Sequence, residues 1–91
     1  MGYLDLEGLK NQLSKLSGHG FSSLFQDLRA CGAEAFNDAF IAPERLDSDD
    51  LQTFRAVFAE HGVSLELERS HVRDVFLLVM TEAIYRGVRR S

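Results

Sequence analysis

Ninety-one residues, 45% hydrophobic and 26% charged, with seven Phe, no Trp and a single Pro, read as one small globular domain over residues 1–91. The apolar share is near the globular average and no polar tract dominates, which excludes a disordered segment. The longest apolar run, the six residues Val75 to Met80, falls far short of the roughly twenty that a membrane-spanning helix needs, so no membrane association is expected.

Charge is distributed unevenly. The net charge is −4, but residues 1–68 carry five basic and twelve acidic side chains, −7, while residues 69–91 carry five basic and two acidic, +3. The lone Cys31 can form no internal disulfide, and Asp5 and Glu7 behind Met1 do not make the basic stretch of a secretory signal. The expected setting is therefore reduced and cytoplasmic.

In chain order, the first predicted helix covers about residues 4–16, where Leu6, Leu9, Leu13 and Leu16 fall on one face. Ser17-Gly18-His19-Gly20 reads as its terminator and turn. A second helix starts at Ser22 or Ser23, since Ser23 with Gln26 has the form of a capping box, and buries Leu24, Phe25, Leu28 and Cys31. Gly32 breaks it from a third piece running from Ala33 to Phe40, which Pro43 stops. After a connector from Ile41 to Leu46, Asp47 or Ser48 caps a fourth helix with Asp49 and Asp50 in its first turn. Leu51, Phe54, Val57, Phe58 and His61 form its inner stripe and Gly62 ends it. Val63, Leu65 and Leu67 then alternate with Ser64, Glu66 and Glu68 as a strand would, but no second strand is available to pair with them, so an extended connector or an early helix start at Ser64 is expected.

The last helix, about residues 70–88, has too many apolar residues for one face. At about 100° per residue, Val72, Val75, Phe76, Val79, Met80 and Ala83 share one arc. Leu77, Ile84 and Val88, with Leu78 and Tyr85 flanking Thr81, fall on the other side. Such a helix is either the centre of the bundle, wrapped by the others, or the site of a contact with another chain. Phe21 and Phe25, Phe36 and Phe40, and Phe54 and Phe58 are each four apart, and Phe76 with Met80 repeats the spacing. The pairs read as core packing; the functional alternative, an aromatic groove for a partner helix, requires some of them to be exposed.

Groups able to carry chemistry are sparse. His61 stands where an imidazolium complements a helix C-terminus, His19 lies between glycines, and His71 opens the last helix; none has a second ligand at i+3 or i+4, so no metal is expected. Cys31 sits on an apolar stripe as a small hydrophobe. Counted from Asp47, the Gly and Glu positions of a calcium-binding EF-hand are Gln52 and Phe58, which excludes that mechanism. The glycines around His19 do not form a phosphate-binding loop, because no strand precedes them and no Lys-Ser or Lys-Thr follows.

Asp47-Ser48 at the start of a helix that Gly62 ends resembles the Asp-Ser-Leu attachment site of acyl carrier proteins, acidic helical domains of similar size. Asp49 stands where that motif has leucine, and two predicted helices occupy Leu16 to Ser48 where a carrier protein has chiefly a long loop. The resemblance covers one helix and implies Ser48 as the attachment residue; the alternative is that Ser48 only caps. A helix-turn-helix comparison fails because Glu66, Leu67 and Glu68 lack the inward apolar pattern of a recognition helix.

The expected architecture is a compact all-α bundle of four or five short helices with the apolar C-terminal helix at its centre. The expected function is a non-catalytic interaction module, a small regulator or inhibitor using Leu77, Leu78, Thr81, Ile84, Tyr85 and Val88, with a protein partner or a second copy as a homodimer and with no cofactor. The alternative is nucleic-acid binding through Arg69, Arg73, Arg86, Arg89 and Arg90. An acyl-carrier role for Ser48 is third.

Overall fold

A computed structural model of the chain describes residues 5–87. Its five α-helices are α1 (Leu6–Lys15), α2 (Gly18–Ala30), α3 (Ala33–Ile41), α4 (Ser48–Glu60) and α5 (Val72–Arg86), with 3-10 turns at Pro43–Arg45 and Arg69–His71. No strand forms among the described residues, and no helix among them is long and apolar enough to cross a membrane. The expected all-α bundle is what the chain builds.

Local chemistry sets most of the boundaries. The Asp5 carboxylate caps α1 by accepting the Gly8 N–H at 2.9 Å. The start of α2 differs from the expectation at Ser22 or Ser23. Ser17 Oγ accepts the Gly20 N–H at 2.9 Å and the Ser17 carbonyl accepts the Phe21 N–H at 2.9 Å, so Gly18-His19-Gly20 forms the first turn of the helix instead of a loop. A Cβ on Gly20 would stand 3.1 Å from Ser17 Oγ, and the glycine leaves room for that capping hydroxyl. Gly32, at φ 147°, makes the break between α2 and α3. Helix α3 runs one residue beyond the expected end, to Ile41.

At α4 the choice between Asp47 and Ser48 falls on Asp47. Its side chain accepts the Asp50 N–H at 2.9 Å while Asp50 accepts the Asp47 N–H at 3.2 Å, a reciprocal capping box. The other end closes in a Schellman motif. Gly62 takes φ 80° and donates to the Ala59 carbonyl at 3.0 Å, and Val63 donates to the Phe58 carbonyl at 2.9 Å. Helix α5 is shorter than the expected 70–88: the 3-10 turn at Arg69–His71 precedes it and left-handed Gly87, at φ 77°, caps it. Val88, Arg89 and Arg90 lie outside the described residues.

Helix α5 packs against α1, α2 and α3, and α4 packs against α2. The phenylalanine pairs converge on it. Phe76 sits with ring centroids 5.8 Å from Phe36, 5.6 Å from Phe40, 4.9 Å from Phe54 and 6.3 Å from Phe58, all edge-on. Phe25 joins Phe36 at 6.0 Å and Phe21 at 6.5 Å, so all seven rings form one connected core. Six are buried and Phe40 is half-buried. The aromatic groove considered from the sequence for these pairs is therefore absent, because none of the seven phenylalanine rings is exposed.

Candidate functional site

The two faces of α5 have different fates. Val72, Val75, Phe76, Val79 and Ala83 are buried, with Met80 half-buried beside them. On the opposite face Leu77 is 47%, Ile84 56% and Tyr85 86% exposed, and Thr81 between them is exposed. These four lie within roughly a quarter-turn of one another at about 100° per residue, one continuous stripe along a little over two turns. Leu78 is half-buried and packs against the core, so it borders the stripe without belonging to it. The helix is thus central on one side and bare on the other.

Ile41, read from sequence as part of a connector, is 71% exposed at the end of α3. Arg73, one turn before Leu77 on α5, donates to the Ile41 carbonyl at 3.2 Å. This places Ile41 beside the N-terminal end of the stripe. Its signal was an apolar residue two positions before Pro43, at a helix end with no predicted neighbour to bury it.

The described arginines of the basic end, Arg69, Arg73 and Arg86, are engaged elsewhere. Arg69 Nε donates to the Leu46 carbonyl at 2.7 Å. Arg73 Nε donates to the Phe40 carbonyl at 2.7 Å, which together with its bond to Ile41 closes the C-terminus of α3. Arg86 donates to the carbonyls of Leu13, Leu16 and Ser17 at 3.0, 3.1 and 3.2 Å, closing the C-terminus of α1, while its Nε bonds Glu82 at 2.6 Å. The guanidinium also lies 4.9 Å over the Phe21 ring, and the Arg86 side chain is only 16% exposed. Helix C-termini present carbonyls without partners and a partial negative charge, which a planar fork of N–H donors satisfies well. Arg73 and Arg86 thus serve the C-termini of α3 and α1, helices far from them in sequence.

Ser48, the residue of the carrier-protein resemblance, is exposed at the first position of α4. His61 is the C-cap of α4, and its Nε2 lies 2.8 Å from Asp27 Oδ2 on α2, tying the two helices together. Cys31 Sγ donates to the Asp27 carbonyl at 3.4 Å. Burial, then the Asp27 and Glu60 carboxylates, push the Cys31 thiol above its ordinary pKa, the opposite of what a nucleophilic cysteine needs. Among the described residues no three His, Cys, Asp or Glu side chains come together in a way that could hold a metal ion. No family model, curated protein or solved structure matches the chain.

Proposed function

We propose that the protein is a non-catalytic interaction module that binds another protein, or a second copy of itself, through the outer face of α5. The observation that carries this reading is the stripe of Leu77, Thr81, Ile84 and Tyr85, extended by Ile41, left bare by a fold that buries every other large apolar residue of α5 at least in part. Tyr, Leu and Ile on one helix face are the anchors of helix-mediated contacts, and a tyrosine held almost wholly in water gains most from being covered. A regulator or inhibitor that occupies a partner's surface fits such a module. Nucleic-acid binding has less support, since Arg69, Arg73 and Arg86 are bonded to main-chain carbonyls.

The test compares wild-type protein with the Ile84→Glu/Tyr85→Lys variant as bait in the native host. Both side chains are exposed, so the variant should melt within a few degrees of wild type. The reading expects a stoichiometric partner or a second copy retained by wild type and lost by the variant. Identical retention by both would remove it.

A further inference from the structure

The segment between Gly62 and the Arg69–His71 turn behaves as a strand without a sheet. Val63 and Leu67 are buried and Leu65 half-buried, whereas Ser64, Glu66 and Glu68 are exposed, the period of two that an extended chain imposes. One edge is already met as a neighbouring strand would meet it. The Gln12 carboxamide on α1 accepts the Ser64 N–H at 2.8 Å and donates to the Ser64 carbonyl at 2.9 Å, the two-bond exchange of a β-ladder pair.

In an extended chain the main-chain groups of successive residues point to opposite sides. With Ser64 turned toward α1, Leu65 turns its N–H and C=O away from it. Val63, on the other side of Ser64, follows the same alternation and donates to the Phe58 carbonyl on α4 at 2.9 Å. The Leu65 main chain therefore faces the shallow groove of about 850 Å³ between this segment and α4. Among the described residues its N–H and C=O have no hydrogen-bond partner. Across the groove stand Ala56, Ala59 and Gly62, short enough for another backbone to lie close.

We infer that this groove takes an extended segment of a partner polypeptide, which adds a strand to the free edge at Leu65. The occupant is extended because a helix uses its own N–H and C=O groups internally and has none to offer Leu65. Asp49 and Arg55 line the groove, one charge of each sign, so the occupant is recognised through its extended main chain and not through net charge. The inference is independent of the α5 stripe, since neither surface uses a residue of the other.

The experiment pans a phage-displayed library of random ten-residue peptides on the full chain and titrates the enriched peptides into ¹⁵N-labelled protein. Expected are peptides whose largest amide shifts fall on Leu65, Ala56 and Ala59, and whose affinity drops about tenfold or more when alternate peptide nitrogens are methylated. Leu65→Pro, which deletes the donor, and Ala59→Arg, which fills the groove from the exposed face of α4 without touching the segment, should each cause a similar loss. The inference is overturned if no enriched peptide shifts those amides, or if Ala59→Arg, folded by its thermal melt, binds as wild type does.

Discussion

The Arg86 guanidinium at the end of α5 donates to the Leu13 carbonyl in the last turn of α1 at 3.0 Å, across nearly the whole chain. Through this bond and those to Leu16 and Ser17 the last helix closes the first, and the bare face of α5 is held on a rigid support. The charge asymmetry visible in the sequence is in part a folding device, in which a basic C-terminal region supplies the donors that two earlier helices lack at their ends.

Arg86→Ala removes these donors and leaves Glu82, 18% exposed at its side chain, without its cation. The expected cost is about 2–4 kcal/mol in urea denaturation. Arg86→Lys keeps the charge but loses the fork, and should recover less than half of that. Faster amide exchange in α1 of both variants would locate the damage there.

Phe76 is the ring on which four others converge, and it is fully buried. Phe76→Ala should cost about 3–5 kcal/mol, a large share of the stability of a domain this size, and abolish a cooperative thermal transition or lower its midpoint by tens of degrees. Phe40→Ala, at the half-buried edge, should cost clearly less. Equal losses would mean that the rings do not form one cluster organised around Phe76.

The two residues that open α4 separate cleanly. Asp47→Ala breaks the capping box and should cost about 1 kcal/mol, whereas Ser48→Ala, exposed and not capping, should change stability by under about 0.5 kcal/mol. Denaturant midpoints measure both.

Much of this architecture was legible from residue patterns, and the parts that were not share a physical cause. Periodicity located the helices, both faces of α5 and the breaks at Gly32, Pro43 and Gly62, because those signals lie within a few residues of what they determine. The start of α2 was misplaced because two glycines read as a terminator, although Ser17, able to cap Gly20, stood just before them. The Gln12–Ser64 exchange and the arginine bonds join residues 23 to 73 apart in sequence, where local pattern carries no information. Exposure of Ile41 and of the stripe depended on which helices cover α5, which is a property of the packing alone.

Cys31 gives the fold a pH dependence of known sign. Burial first, then Asp27 and Glu60, hold the folded thiol protonated at pH values where the unfolded chain has lost that proton. The unfolded state binds fewer protons there, so this contribution is whole below the unfolded thiol pKa and is lost as pH rises through the folded one. Between pH 7 and 10 the urea midpoint of wild type should fall more than that of Cys31→Ala. Iodoacetamide at pH 8.5 should modify Cys31 more slowly than a free cysteine.

The central claim is that the outer face of α5 is covered by another polypeptide when the protein acts. The most direct measurement is photo-crosslinking in native cells with Tyr85→p-benzoylphenylalanine, against the same probe at Glu34, exposed on α3. The account predicts a discrete crosslinked species at position 85, containing a partner or a second copy, and none at position 34. Uncrosslinked monomer alone at position 85, or the same diffuse products at both positions, would contradict it.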